Sequence, residues 1–132
     1  MAINTVLGLD IGEKRVGIAR VNMIARLPEP LITLANDDLF DTQLRQIIDE
    51  HQPDALVVGL PRNLKGEETA QSTYSRQFSQ THLESIGLPV IFQDETLSSN
   101  EAKVRLGTAV AKKGDIDAMA AAVILEDYLE TI

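Results

Sequence analysis

The sequence predicts an α/β fold: a mixed five-stranded sheet in which an antiparallel hairpin is extended by parallel strands, with helices on both faces. Three observations point there. Two apolar runs, Val6 to Leu9 and Val16 to Ala19, are separated only by a short turn holding Gly12, Lys14 and Arg15, the pattern of a hairpin. From residue 38 onward helical and strand-like patterns alternate, the order of a sheet built with crossover helices. The run Ala55-Leu56-Val57-Val58 lacks the period of two, as expected of a strand covered on both faces.

Taken in order, residues 5–11 and 15–22 are the hairpin strands, and residues 30–34 give a short third strand behind Pro28 and Pro30. Residues 38–51 read as a helix. Phe40, Leu44, Ile47, Ile48 and His51 share one stripe, Asp37 or Asp38 offers a cap, and Pro53 ends it. Residues 54–59 form the covered strand, and Leu60 to Gly66 form a loop. A helix over 67–85 turns Ala70, Tyr74 and Phe78 inward and stops at Gly87. Pro89 to Gln93 is the fifth strand. Ser98 and Glu101 have the spacing of a capping box, which starts a helix over about 99–106. A loop, Gly107 to Gly114, leads to a last helix from Asp115 or Ile116 to about Leu129, with Asp115 as its expected cap. No repeat or linker interrupts residues 1–132, so one domain is expected.

Composition narrows the function. The absence of cysteine excludes disulfides and thiolate metal sites. No apolar run is long enough to cross a membrane, and the secretory-signal pattern is missing, so a cytoplasmic protein with no membrane partner is expected. A net charge of −8 argues against a protein that coats nucleic acid passively, but suits an enzyme whose acids hold a metal and whose bases act locally. The bases do cluster, as Lys14 with Arg15 and Arg62 with Lys65.

Three acids break the apolar pattern. Asp10 ends a strand that otherwise reads as buried, where an ionised carboxylate needs a partner. Asp94 and Glu95 directly follow the apolar strand Val90-Ile91-Phe92, at the end of a parallel strand where ligands of open α/β sheets collect. Asp117, at about 100° per residue, falls in line with Ala120, Ala121, Ile124 and Tyr128 and away from Glu126 and Glu130. Carboxylates are the hard oxygen ligands Mg²⁺ prefers, and phosphodiester hydrolysis commonly uses two such ions. Asp10, on the most central strand, suits a bridging ligand.

These residues, in this order, resemble the YqgF family, also called RuvX, of the RNase H-like superfamily to which RuvC is related. The pattern LDxGxxRxG stands here as Leu9 to Gly17, and PDxxVVGLPxNxxG as Pro53 to Gly66. DExLTT stands as Asp94 to Ser99, with serines for the paired threonines, and VDAxAAxxILxxYL as Ile116 to Leu129. The turn also departs, carrying Glu13 where a neutral residue is commoner. The resemblance implies an RNase H-like fold and Asp10, Glu95 and Asp117 as catalytic residues holding Mg²⁺ or Mn²⁺ in a two-metal site, with Asp94 and Ser98 behind them. Lys14, Arg15, Arg62, Asn63 and Lys65 are then candidates for substrate contact. The implied activity is a nuclease that matures the 5′ end of pre-16S ribosomal RNA, with structured RNA and ribosome-assembly factors as partners. The family's older assignment is resolution of Holliday junctions, with branched DNA as substrate. Two other readings compete. A non-catalytic RNA-binding assembly module fits the acidic balance but leaves the acid triad idle. The Asp10-Ile11-Gly12 turn also resembles the first phosphate motif of the actin and hexokinase superfamily, whose members close two such domains on ATP. Oligomeric state is not legible.

Overall fold

The computed structural model describes residues 3–95 and 113–132, and it shows one five-stranded sheet in the order β3-β2-β1-β4-β5. Ser98, the helix expected over 99–106 and loop residues 107–112 lie outside the described residues. The strands are β1 (Thr5–Ile11), β2 (Arg15–Asn22), β3 (Glu29–Ala35), β4 (Ala55–Pro61) and β5 (Val90–Glu95). β1 pairs antiparallel with β2, and β2 with β3, whereas β4 runs parallel to β1 and β5 parallel to β4. The predicted hairpin, its parallel extension and the mixed sheet are all present.

Alternation along the strands makes two cores. Leu7, Leu9, Val16, Ile18, Leu56 and Val58 face one side, where helix α1 (Phe40–His51) contributes Phe40 and Leu44 and helix α2 (Ala70–Phe78) contributes Phe78. Val6, Ala19, Val21 and Val57 face the other, under helix α3 (Lys113–Glu130) with Ala121, Ile124, Leu125 and Tyr128. Burying aliphatic side chains on both faces stabilises the sheet by roughly 1.5–3 kcal/mol for each fully buried residue. It also explains the unbroken apolar run of β4.

Several boundaries move. β4 continues through Leu60 and Pro61, which the sequence reading assigned to a loop, and β5 continues through Asp94 and Glu95. The helix expected from 67 starts only after Thr69. A backbone bridge between Arg62 and Glu68 holds the preceding residues extended. Thr69 and Ser72 then exchange a capping box, Ser72 N–H donating to Thr69 Oγ1 at 3.3 Å and Thr69 N–H to Ser72 Oγ at 3.1 Å. The rotated helix exposes Ala70 and buries Ser72 and Ser75, so Ala70 is not inward as expected. Ser72 is satisfied there by donating its hydroxyl to the Pro61 carbonyl. Beyond Phe78 the chain passes through a π-helical turn, Ser79–Leu83, and a 3₁₀ turn, Glu84–Ile86, before Gly87 ends it at φ 87°. His82 packs on Phe78 with ring centroids 4.3 Å apart and reaches Asp41 Oδ1 at 2.8 Å. Leu39, not Asp37 or Asp38, occupies the cap position of α1, although Asp37 Oδ1 accepts the Leu39 N–H at 2.9 Å. α3 begins at Lys113, which places Asp115 inside the first turn instead of at the cap.

Helix α3 lies unusually low on the sheet because three strands carry glycine beneath it. A Cβ on Gly17 would stand 1.9 Å from the Asp117 carbonyl oxygen, and one on Gly8 would stand 2.6 Å from Leu125 Cγ. Gly59 would likewise strike Ile124 at 2.4 Å. At Gly17 the obstacle is backbone, which cannot rotate aside. Gly17→Ala is therefore expected to cost at least about 2 kcal/mol of unfolding free energy, at the upper part of the overpacking range. Urea denaturation measures it, and an unchanged midpoint would show that α3 does not rest on this strand.

Candidate active site

Asp10 is the next-to-last residue of β1 and stands opposite Gly17 in the hairpin register. Alternation puts Gly8 and Asp10 on the α3 face of β1, and Arg15 and Gly17 on the same face of β2. The missing side chain at Gly17 admits the first turns of α3, so Asp117 arrives beside Asp10 from a segment 107 positions away in sequence. Its carboxylate accepts Nε of Arg15 at 2.7 Å, a half-buried ion pair.

Burial, and secondly the negative charge of Asp117, push the Asp10 carboxyl up to about 7. Both causes are those expected of a carboxylate held among like charges in a dry place. Glu95 completes the set. It is the last residue of β5, level with Pro61, and only 6% exposed. Its Cγ lies 3.7 Å from the space a Cβ on Gly59 would fill, on the α3 face of β4. Since Leu9 is level with Val58, Asp10 stands beside Gly59. The three acids thus share one face at the end of the sheet toward which β1, β4 and β5 all run, the usual ligand end of a parallel sheet.

As donors they suit Mg²⁺ or Mn²⁺, being hard oxygens held on rigid elements, and the raised Asp10 carboxyl marks a place where added positive charge is favoured. Among the described residues no three His, Asp or Glu side chains close tightly enough to enclose an ion, and Asp117 is engaged by Arg15 instead.

The other expected residues separate. Asp94 points to the opposite face of β5 from Glu95, where its Oδ1 accepts Nε and Nη2 of Arg62 at 3.0 and 2.9 Å. It supports Arg62, not Glu95. Asn63 shapes its loop: its Oδ1 accepts the backbone N–H groups of Lys65 and Glu67 at 2.9 and 3.0 Å, and Gly66 adopts φ 78°. Lys14 and Lys65 are exposed and carry no ion pair among the described residues. One shallow cleft, of about 410 Å³, brings Lys14, Arg15 and Asp117 together with Glu13 and Gln71. A second, of about 510 Å³, joins Arg62, Asn63 and Asp94 to Glu95.

Two supporting residues were missed in the sequence. Gln71 Nε2 donates to the Ile11 carbonyl at 2.8 Å, and Asn36 Nδ2 donates to the Gly12 carbonyl at 2.9 Å. Together they clamp the turn immediately after Asp10. Single polar residues in a helix and a loop carry no periodic signal that could have revealed this.

Comparison with known proteins gives the family. A family model described as RuvX, Holliday junction resolvase, matches residues 4–131. A protein of Bordetella pertussis named "Putative pre-16S rRNA nuclease" is 40% identical over 100% of this chain and 98% of its own length. One of the same name from Shewanella oneidensis is 35% identical over 98% of this chain and 96% of its own. Among solved structures, Thermus thermophilus RuvC in complex with a Holliday junction superposes with a TM-score of 0.57 at 15% identity, covering 96% of each chain. The fowlpox virus resolvase does so with a TM-score of 0.53 at 11% identity, over 96% of this chain and 97% of its own. At such identities these structures speak for the fold alone.

The state of Asp10 makes stability depend on pH. Its carboxyl is neutral when folded and ionised when unfolded between the ordinary value of 3.8 and about 7, so folding is favoured below that window and loses stability as pH rises through it. Each pH unit removes up to about 1.4 kcal/mol. In EDTA, Asp10→Asn is therefore expected to gain stability relative to the native chain between pH 5 and pH 8. Urea midpoints at the two pH values test this, and a constant difference would refute the raised carboxyl.

Proposed function

Because the chain belongs to the RuvX family of RNase H-like proteins, we propose that it is a divalent-metal-dependent nuclease that hydrolyses phosphodiesters in the 5′-end maturation of pre-16S ribosomal RNA. The carrying observation is the convergence of Asp10, Glu95 and Asp117 on one face at the carboxyl end of the parallel strands. Asp10, Glu95 and Asp117 would hold Mg²⁺ or Mn²⁺, which when bound supplies a Lewis acid for the phosphoryl oxygens and an activated water.

The chain's own residues do the rest. Asp10, partly buried and with its carboxyl raised to about 7, is a carboxyl whose charge a cation would stabilise. Arg15 reaches the same carboxylate cluster from β2 and can turn between Asp117 and a substrate phosphate, both of which match its guanidinium. Lys14 lines the first cleft, and exposed Lys65 lies in the loop between Leu64 and Gly66 that lines the second; both offer point charges for the flanking backbone. Arg62 is fixed by Asp94 and offers its remaining N–H groups to the second cleft. The Asn63 side chain contributes by holding that loop's shape.

Purified protein should cut precursor RNA in Mg²⁺ or Mn²⁺ and not in EDTA. Asp10→Asn should lower the rate by at least about a hundredfold, more than the loss of a residue that only orients a ligand. Cleavage of branched DNA with RNA left intact would select the junction reading, and binding without cutting in any metal would select an assembly module. Mn²⁺ should also raise the melting temperature of the native chain at pH 8 and leave that of Asp10→Asn nearly unchanged, because the carboxylate cost it relieves is absent there. Equal shifts in the two proteins would remove Asp10 from the metal site.

A further inference from the structure

A groove on the far face of β5 from the three acids has no part in holding a metal. It encloses about 540 Å³ and is lined by Glu68, Arg76, Gln77, Gln80 and Phe92, among others. Phe92 is 37% exposed, although most large apolar side chains of this sheet are buried. The Arg76 guanidinium lies over its ring with Cζ 5.1 Å from the centroid. Nε of Arg76 is anchored on Glu68 Oε1 at 2.7 Å, so the plane is held ready rather than free to swing.

The groove is joined to the acid site. Glu68 bridges to Arg62 through the backbone, and Arg62 is paired to Asp94, the neighbour of Glu95. Phe92 precedes Glu95 by three residues, a separation of about 10 Å along a strand. An aromatic ring and a guanidinium plane are the two surfaces on which unpaired bases stack. The amides of Gln77 and Gln80 offer donors and acceptors to a base edge. Glu68 and Glu84 outnumber Arg76 among the charges lining the groove, so an uncharged base suits it better than a phosphate does.

We infer that this groove stacks an unpaired nucleobase of the substrate on Phe92 and Arg76, reached from the acid site round the β5 edge of the sheet. The inference rests on the nuclease reading and adds to it: the substrate must carry a single-stranded segment next to the cut.

The test measures binding in EDTA, where cleavage plays no part. A hairpin RNA with single-stranded tails at both ends and a blunt hairpin of the same stem are each labelled and titrated by fluorescence anisotropy. Phe92→Ala should weaken binding of the tailed RNA about fivefold or more and leave the blunt hairpin unchanged. Phe92→Leu, which keeps apolar bulk and so guards against misfolding, should lose most of the same discrimination, and Arg76→Gln part of it. Photocrosslinking of 5-iodouridine placed in the tail should map to the peptide carrying Phe92. Equal affinity of Phe92→Ala and the native chain for tailed RNA, or equal losses on both RNAs, would overturn the groove. If the native chain still cuts in metal, the nuclease reading survives that outcome. A native chain that neither binds nor cuts any of these nucleic acids would remove both.

Discussion

The backbone of α3 rests directly on Gly17, and the acid site depends on that contact. With no side chain on β2 at this point, the peptide of Asp117 comes down onto the sheet opposite Asp10. The same approach shields the partly buried Asp10 and sets a second carboxylate beside it, the two reasons its carboxyl rises to about 7. Arg15, two residues back along β2 on the same face, supplies the counter-charge. Gly8 and Gly59 leave room for Leu125 and Ile124 in the same way, so α3 packs over three strands. One close contact thus fixes the position, burial and charge balance of the centre.

The remaining charges explain how a chain of net charge −8 can still receive a polyanion. Among the described residues, four arginines stand in ion pairs: Arg15 with Asp117, Arg20 with Glu29, Arg62 with Asp94 and Arg76 with Glu68. Such partly exposed pairs contribute about 0–1 kcal/mol each, so exchanging a carboxylate for a phosphate costs the fold little. Their role is to hold guanidinium planes at chosen places. Lys14 adds charge to the first cleft, and Lys65 to the loop that borders the second. Among the described residues, Lys14, Arg15 and Arg62 thus place positive charge at one end of the sheet.

Much of the fold was legible because it follows from periodicity. The hairpin strands begin and end at the residues expected of them, and the unbroken apolar run of β4 correctly implied cover on both faces. Errors arose where a single polar side chain overrides the pattern. Thr69 captures the start of α2 through its hydroxyl, which rotates the helix so that Ser72 and Ser75 are buried and Ala70 is exposed. The π-helical turn after Phe78, which no helical period announces, brings the His82 ring onto the aromatic core. The acids show the same division. Asp10 and Asp117 announced themselves as carboxylates inside apolar patterns. Asp94 and Glu95 were indistinguishable as neighbours until β5 proved to extend through both, which sends them to opposite faces.

By itself, then, the sequence determined the order of strands and helices, the acids that are out of place, and the motifs that identify the family, because alternation, helical period and local motifs are properties of neighbours along the chain. Tertiary structure alone decided that Asp117 meets Arg15 across 102 positions, that Asp94 serves Arg62 instead of Glu95, and that Asn63 is a loop former. It also decided that Phe92 and Arg76 share a groove on the reverse side of the strand that carries Glu95. These are contacts between distant segments, and they exist only once glycines on three strands let a helix settle against the sheet and strand alternation has assigned each side chain its face.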